Sequence, residues 1–350
     1  MSRGNIGILP RPTKLADESY LEMVQSMRKI LIQDFFPKVA EWGGKAHQEA
    51  GAPQDIEEIK EAYRQAPVPR AWQRGVRTQQ EMMWRRTRES FFVDAEEHQK
   101  ALEAAEKQAP ERLIYDPNFK PPGYTRQEIH LQPGGYTDDP MGGLVFHYGT
   151  KVFYEGTNDQ DELHAELASL MTKPEGKLER VLDVGCSIGQ ATLKLKEYNP
   201  EAEIIGLDVG LPLLRYGHML AVERDIDVTF QQALAQDTDY EDESFDAVFS
   251  YILFHEVALD VIPQIVKEMH RILRPGGTFS IFEFPNNHGQ TLEPAHRFLV
   301  NYDSLNNCEP FSIGFVECDF KGMLEEAGFD VAEGPACSNP FLQSIVATKR

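Results

Sequence analysis

The chain has 350 residues, and with 41% apolar and 26% charged residues it has the composition of an ordinary globular protein with ample core material. Its formal net charge of −21 argues against a protein that coats nucleic acid or an anionic membrane, and favours neutral or cationic small partners. No apolar run approaches the roughly 18 residues of a membrane span. Four cysteines at no metal-ligand spacing predict reduced thiols in a cytoplasmic protein.

The N-terminal part of the chain predicts helices. Apolar residues recur at three- and four-residue steps from Tyr20 to Leu31, which places one apolar stripe on one face of a first helix. We expect Pro37 to kink or end this helix, and Gly43-Gly44 to end it at the latest.

Two further helices are predicted over residues 54–65 and 78–108, followed by a Pro- and Gly-rich crossing or lid from 110 to 143. The length of the chain suggests about two units. We therefore assign residues 1–140 to a helical appendage with a lid or linker, and residues 141–350 to a second domain.

An arginine-rich stretch interleaved with Trp72 and Trp84 lies between the second and third predicted helices and extends into the third. It could form an anion or nucleic-acid patch, because arginine and aromatic side chains together grip phosphates and bases. It could equally be a salt-bridged surface, which the acidic balance of the chain favours. The arginines are Arg64, Arg70, Arg74, Arg77, Arg85, Arg86 and Arg88.

The stretch from 145 to 156 is dense in aromatic residues and leads into another helical pattern. Its aromatic side chains, among them Tyr148 and Tyr154, could close over a ligand held by the sheet that follows. For Phe146, Phe153 and Tyr154, packing in the core is the alternative interpretation of any single one.

From residue 180 onward, strand and helix patterns alternate, which predicts a parallel sheet covered on both faces. Ligands of such sheets bind at the carboxyl ends of the strands, near the point where the strand order reverses. The predicted strands are 180–184, 203–208, 227–231, 245–250 and 278–283, with helices at 188–198, 211–224 and 258–273. A helix over 316–327 and an antiparallel strand pair at 329–335 and 342–348 complete the pattern.

A glycine turn connects the first of these strands to its helix. Gly185 and Gly189 let the backbone pass close to a ligand, and the N–H groups of the following helix favour a negative group. Asp183 adds a carboxylate that accepts hydrogen bonds at the end of the strand. Asp208 ends the second strand nineteen positions after Gly189, a spacing that suits a carboxylate binding the two hydroxyls of a ribose.

A nicotinamide site would require Gly-x-Gly-x-x-Gly, but Ser187 and Gln190 occupy the second and third glycine positions. The pattern Asp183-x-Gly185-x-Ser187-x-Gly189 instead resembles the first motif of class I S-adenosylmethionine-dependent methyltransferases. Four later motifs continue the resemblance, which covers roughly 145 to 350 and is most similar to the ubiquinone and menaquinone biosynthesis type. They are Asp242-Glu-Ser-Phe-Asp-Ala-Val, Leu253-Phe-His-Glu-Val, Arg271-Ile-Leu-Arg-Pro-Gly-Gly and Ile281-Phe-Glu-Phe.

The resemblance implies an α/β fold, a Rossmann-like seven-stranded, mostly parallel sheet with helices on both faces. It implies that S-adenosyl-L-methionine is the cofactor and assigns its contacts: Asp183, Gly185, Ser187 and Gly189 in the turn, Asp208 at the ribose, Ala235 and Gln236 around adenine, and Ser250 under the sulfonium. Ser187 replaces a usual glycine, which is tolerable if its φ is negative. Leu234 stands where an adenine-binding aspartate is common, so that recognition of adenine would pass to Gln236 or to backbone.

Methyl transfer to oxygen or carbon requires a base, and three residues after the fourth and fifth strands are candidates. His255 has a suitable pKa, Glu256 lies beside it, and Glu283 ends the fifth strand. Their structural alternatives are a capping or core histidine, a first-turn carboxylate, and a residue that holds a lid or a charged substrate. His130, His147, His288 and His296 show no metal-ligand spacing, so that we predict no metal.

The segment from Pro285 to Gly314 is predicted to be a long irregular insertion over the acceptor site. Together with the N-terminal helices it should shape a substrate pocket whose candidate residues are Tyr148, Tyr154, Tyr251, His296 and Tyr302. Because aromatics cluster in both lid segments, the acceptor is expected to be a hydrophobic or aromatic metabolite.

The sequence thus predicts a cytoplasmic small-molecule methyltransferase that uses S-adenosylmethionine and methylates carbon, oxygen or nitrogen. Two alternatives stay open: a protein that binds the cofactor without transferring methyl, and a nucleic-acid methyltransferase that grips its substrate through Arg64 to Arg88. The acidic charge disfavours the second, and Ser250-Tyr-Ile-Leu stands where base-methylating relatives carry Asn/Asp-Pro-Pro-Tyr/Phe. A homodimer is also left open.

Overall fold

An eight-stranded, mostly parallel sheet with helices on both faces forms the centre of the protein, as a computed structural model describes it for residues 3–286 and 292–350. The predicted fold class is confirmed. The sheet strands are β3 (Leu113–Ile114), β4 (Arg180–Val184), β5 (Glu203–Asp208), β6 (Thr229–Gln232), β7 (Phe245–Tyr251), β8 (Leu273–Glu283), β9 (Phe329–Glu333) and β10 (Gln343–Lys349), while β1 (Asn5–Ile6) and β2 (Leu9–Pro10) form a small separate hairpin.

The order of the strands is β3-β6-β5-β4-β7-β8-β10-β9, with β10 antiparallel to both of its neighbours. Seven strands correspond to the predicted sheet, and the two-residue strand β3 from the crossing segment adds an eighth at the edge by pairing with β6. Strand β4 lies between β5 and β7, so that the chain moves outward from it in both directions. A ligand crevice is expected at this reversal.

Helices cover the sheet and extend beyond it at the N-terminal side. The described part of the chain holds none with the length and apolar character needed to cross a bilayer. The helices are α1 (Leu15–Lys29), α2 (Phe36–Glu49), α3 (Ile56–Gln65), α4 (Pro67–Phe92), α5 (Ala95–Gln108), α6 (Gly142–Phe153), α7 (Glu162–Ser169), α8 (Gln190–Tyr198), α9 (Leu211–Glu223), α10 (Ile262–Ile272), α11 (Pro294–Asn306), α12 (Ser312–Glu317) and α13 (Phe320–Ala327).

The prediction that Gly43-Gly44 ends the first helical segment was wrong. A π-helical turn (Ile30–Phe35) joins α1 to α2 just before Pro37, and α2 then continues through both glycines to Glu49. Gly43 is needed because a Cβ there would lie 2.1 Å from the Tyr63 ring, so that a close helix contact, and not a chain break, explains this glycine. The predicted third helix is split into α4 and α5, and α4 begins at Pro67.

The prediction of an irregular insertion at 285–314 was also wrong for most of its length. Helices α11 and α12 occupy 294–306 and 312–317. Phe298 and Tyr302 lie one turn apart on α11 and pack against Tyr63 and Trp72, with ring centroids 4.7 and 4.9 Å apart. This apolar stripe stabilises the helix through tertiary contacts. The predicted loop residue His288 lies outside the described residues.

The N-terminal helices share a hydrophobic core with the α/β part of the chain. Val24 of α1 and Met83 and Trp84 of α4 belong to the same buried cluster as Val145 of α6. Gly149 of α6 permits the contact, because a Cβ there would lie 2.0 Å from the Trp84 ring. The proposed boundary at residue 140 stays a prediction, but the helices before it are firmly packed on the helix after it.

Candidate active site

A cavity of about 790 Å³ opens at the carboxyl ends of β4, β5 and β7. It is lined by residues of the glycine turn, by the ends of these strands, by the crossing segment between α5 and α6, and by α1, α4 and α11. This volume lies within the usual range of small-molecule sites. The helical appendage therefore closes the crevice that the sheet topology creates.

The glycine turn adopts a left-handed backbone conformation at three positions, the first two of which line the cavity. Gly185, Ser187 and Gly189 have φ angles of +72°, +53° and +76°. The condition under which serine would be tolerable here, a negative φ, is therefore not met, and Ser187 adopts a conformation that disfavours side chains. The Ser187 hydroxyl is buried without a hydrogen-bond partner in the described part of the chain. An unsatisfied buried hydroxyl in a strained turn beside a cavity is a feature of a ligand site.

Asp208 lies opposite the turn and lines the cavity. Its Oδ2 accepts a hydrogen bond from the Ser187 N–H at 2.9 Å, and its Oδ1 accepts one from the Gly210 N–H at 2.8 Å. Burial, opposed by these hydrogen bonds, raises the pKa of Asp208 to about 6. The Val209 N–H also bonds to this carboxylate, which leaves one of its four acceptor positions open for a ligand.

Asp183 is almost completely buried at the end of β4 and also contributes to the cavity wall. Its Oδ2 accepts a hydrogen bond from the Thr192 hydroxyl at 2.6 Å. Burial is the main reason that the pKa of Asp183 is raised to about 7, and the charge of Asp208 adds to the effect. Asp183 thus ties the strand to helix α8 and fixes the shape of the turn.

The loop after β6 brings Leu234, Ala235 and Gln236 to the cavity, as predicted for the adenine side. Gln236 hydrogen-bonds to Tyr124 of the crossing segment, and this bond partly opposes the burial that raises the pKa of Tyr124. Ser250 is not among the lining residues. Since side chains alternate along a strand, its successor Tyr251 lines the cavity instead.

These residues fit the cofactor that the sequence motifs imply. Gly185 has a positive φ, and a Cβ there would lie 2.9 Å from Leu253, so that this position of the cavity wall requires glycine and presents backbone without a side chain. Asp208 and Ser187 leave hydrogen-bonding capacity that the protein does not use. Gly189 does not line the cavity but begins helix α8, and its φ and its packing on Phe230 both require glycine.

The most buried acid–base pair beside the cavity joins His255 and Glu283. Nδ1 of His255 lies 2.7 Å from Oε1 of Glu283, whose oxygens also accept the N–H groups of Phe254 and Phe284 at 2.7 Å each. His255 lines the cavity, and its Nε2 has no hydrogen-bond partner among the described residues. Burial lowers the pKa of His255, but the charge and hydrogen bond of Glu283 outweigh it and raise this pKa to about 9.

Glu283 is fully buried and is not among the lining residues. The geometry therefore makes it a residue that orients His255, where sequence reasoning offered it as a base in its own right. A carboxylate that holds Nδ1–H fixes the tautomer with Nε2 free to accept a proton.

A second polar cluster lines the same cavity; the sequence offered Glu256 as a candidate base, but it did not predict that Glu256 meets His130 and Glu309. His130 lies between Glu256 and Glu309, with Nε2 3.2 Å from the first carboxylate and Nδ1 2.8 Å from the second. The Tyr136 hydroxyl donates to Glu256 at 3.1 Å. Burial lowers the pKa of His130, but the two carboxylates raise it to about 10. Because the three segments are far apart in the chain, no spacing rule could have found this cluster.

Four of the five predicted pocket residues line the cavity: Tyr154, Tyr251, His296 and Tyr302. The hydroxyls of Tyr154 and Tyr251 lie 2.9 Å apart and present a hydroxyl pair at the wall. Tyr148 does not reach the cavity, because its ring is buried against Phe91 with centroids 4.9 Å apart. The prediction that Tyr148 belongs to the substrate pocket is therefore corrected: this tyrosine is a core residue.

The arginine-rich stretch lies on α3 and α4, and three of its members are paired with acids. Arg77, Arg86 and Arg88 form ion pairs with Glu81, Asp17 and Asp139 at 2.8 to 2.9 Å.

Over residues 3–286 and 292–350, the structure shows no group of at least three His, Cys, Asp or Glu side chains that could bind a metal ion.

The fold and the site define a class of protein: an α/β domain that binds a nucleoside cofactor at the reversal point of its sheet. Comparison with known proteins specifies the class. Residues 181–277 match the family model described as a methyltransferase domain. Over residues 181–277 the chain is similar to the methyltransferase domain family, and this similarity supports S-adenosyl-L-methionine as the cofactor of the site.

Similar proteins with curated names include two quinone methyltransferases. A demethylmenaquinone methyltransferase of Thermus thermophilus is 35% identical over 107 residues, which are 31% of this chain and 48% of that protein. A ubiquinone/menaquinone biosynthesis C-methyltransferase of Bdellovibrio bacteriovorus is 31% identical over 128 residues, 37% of this chain and 52% of that protein. The chain thus spans about half the length of these relatives.

A third similar protein is an uncharacterized methyltransferase of Synechocystis sp., 27% identical over 169 residues that make up 48% of this chain and 75% of that protein. All three similarities cover at most about half of the present chain. The family model begins at residue 181 and does not include the helices before residue 110 that close the cavity.

Proposed function

We propose that the protein transfers a methyl group from S-adenosylmethionine to a small, largely apolar or aromatic acceptor at an oxygen or an acidic carbon. The observation that carries this proposal is the buried His255–Glu283 pair with a free Nε2 at the cavity wall. A nitrogen acceptor that already has a free lone pair would not require such a base.

The cofactor, when bound, supplies a methyl group that its positive sulfur activates. The protein has three tasks: to hold the acceptor in line, to exclude water and to remove a proton. Nε2 of His255 accepts the proton of the acceptor, and Glu283 stabilises the imidazolium that results. Because the pKa of His255 is raised to about 9, the neutral imidazole is a strong base. At pH 7, however, His255 is neutral in only a small fraction of the protein molecules.

The lining of the cavity supports an apolar acceptor. Side chains of Ile32, Phe36, Trp72 and Val76 from the N-terminal helices face it together with Leu299 of α11. Three arginines of the arginine-rich stretch are paired with acids, which supports a small molecule over nucleic acid as the substrate.

Location in the cytoplasm and assembly as a homodimer stay predictions. Four free cysteines support the first of them.

The test uses purified protein, S-adenosylmethionine with a labelled methyl group, and a fractionated metabolite extract. We expect label to enter a low-molecular-weight apolar product, and this transfer to fall strongly in His255→Asn while S-adenosylhomocysteine still binds. Binding of S-adenosylhomocysteine without a labelled product from any fraction would favour the cofactor-binding alternative. Label in added RNA or DNA would favour the nucleic-acid alternative.

A further inference from the structure

Arg28 is a buried cation at the wall of the cavity that the proposed mechanism does not use. It belongs to the last turn of α1, is 9% exposed and lines the cavity. Its Nε donates a hydrogen bond to the backbone carbonyl of Phe153 at 2.9 Å. Its guanidinium carbon lies 3.8 Å from the centroid of the Phe153 ring. These contacts orient the planar group and engage one of its three nitrogens.

The two terminal nitrogens of Arg28 have no hydrogen bond or ion pair with any part of the chain that the structure describes. Glu155 and Asp303 also line the cavity and influence Arg28 through space, but neither forms an ion pair with it. Burial lowers the pKa of Arg28 to about 10, so that it stays charged at neutral pH. A buried charge without a partner is costly and is rarely kept unless a ligand supplies the partner.

We propose that Arg28 binds a carboxylate of the acceptor through its terminal nitrogens, which makes the acceptor an apolar or aromatic carboxylic acid. This inference rests on the proposed function and specifies its substrate class. The guanidinium fork matches the two oxygens of a carboxylate. Ile32 and Phe36 follow Arg28 in the π-helical turn and at the start of α2, and both line the cavity beside it. They provide an apolar surface for the body of such a molecule.

A singly charged carboxylate suits this site better than a phosphate. Glu309 and Asp303 lie close enough to Arg28 to raise its pKa through their charge, and a doubly charged group would be repelled by them. Burial, together with the charge of Glu309, raises the pKa of Asp303 well above its usual value. With its pKa raised, Asp303 repels a nearby single negative charge less than a fully ionised carboxylate would.

The experiment compares probes that share one aromatic body and differ in the polar group. Binding of 2-naphthoate, 2-naphthamide, 2-naphthyl phosphate and 2-naphthylmethylammonium is measured by calorimetry on the full chain with S-adenosylhomocysteine present. The variants are Arg28→Met, Arg28→Lys and the control Arg77→Met, whose side chain pairs with Glu81 and does not line the cavity.

We expect the wild type and Arg77→Met to bind 2-naphthoate at least about tenfold more tightly than the other probes, the factor expected of charge-assisted hydrogen bonds. Arg28→Met should lose this preference while it binds 2-naphthamide as before, and Arg28→Lys should retain part of it. The wild-type comparison stands even if a variant fails to fold.

Three results would overturn the inference: no preference for 2-naphthoate in the wild type, a stronger preference for the phosphate or the ammonium probe, or a preference that survives in folded Arg28→Met. Failure of S-adenosylhomocysteine itself to bind would instead count against the proposed function. The two failures are therefore distinguishable in the same titrations.

Discussion

Nδ1 of His255 and Oε1 of Glu283 lie 2.7 Å apart in a pair whose members are at most 2% exposed. The Glu283 carboxylate accepts hydrogen bonds from two backbone N–H groups, and Nε2 of His255 has no partner among the described residues at the cavity wall. An arrangement of this kind orients a base without placing the carboxylate itself in contact with the substrate. It leads to separate expectations for the two residues.

Replacing His255 by Asn should lower kcat by roughly 10²- to 10⁴-fold, the usual contribution of a general base, with little change in the affinity for S-adenosylhomocysteine. Glu283→Gln should reduce kcat less and should also shift the pH profile, because the neutral amide no longer raises the pKa of His255. Initial rates with the acceptor identified from the extract, and calorimetry for the cofactor product, measure both. Equal kcat in wild type and His255→Asn would contradict the assignment of His255 as the base. The control for Glu283→Gln is Glu317→Gln, the same substitution at an exposed site.

The pH dependence of stability should report the same pair. The pKa of His255 is raised to about 9 in the folded protein, above its ordinary value near 6.5, so that the folded state binds the proton more tightly. The resulting stabilisation is fully present below about pH 6.5 and is lost as the pH rises through about 9. It amounts to at most on the order of 3 kcal/mol.

Urea denaturation of wild type and Glu283→Gln between pH 6 and 10 measures this effect. The difference in unfolding free energy should shrink as the pH rises from 6.5 to 9. His130, whose pKa is also raised, contributes equally to both proteins and cancels. A difference that stays constant with pH would argue that Glu283 does not bind a protonated His255.

Asp208→Ala should weaken binding of S-adenosylhomocysteine by roughly 10- to 100-fold, because a charged hydrogen-bond acceptor is lost. Asp246→Ala is a matched control: Asp246 also accepts two backbone N–H groups, those of Glu179 and Arg180, but does not line the cavity. Calorimetry on folded protein compares the two variants. If both lose affinity alike, the effect of Asp208 is structural.

Gly43 and Gly44 provide a paired test of the helix packing that closes the cavity. Gly43→Ala should destabilise the protein by about 1–3 kcal/mol, because the new Cβ would clash with the Tyr63 ring. Gly44→Ala meets no atom within 4 Å and should stabilise it by about 0.5–1 kcal/mol, since alanine favours a helix. Thermal and urea unfolding measure both changes. A stabilising Gly43→Ala would show that α2 does not pack against α3 in this way.

The sequence alone determined the sheet and the cofactor side of the site. Strands β4 and β5 begin and end at the predicted residues, because a continuous apolar run bounded by glycine or an acidic residue is a local signal. Asp183, Gly185 and Asp208 follow from the same strand ends, and alternating strands and helices leave few topologies. These features depend on neighbours in the chain and can be found there.

Only the tertiary structure decided how the polar groups of the acceptor side are brought together. Arg28, His130 and Glu309 come from three distant segments and line one cavity, because α1, the crossing segment and the turn between α11 and α12 all border it. The positive φ of Ser187 and the continuation of α2 through Gly43 likewise depend on contacts across the fold. Such contacts are set by packing between elements, and no periodicity or spacing within one element encodes them.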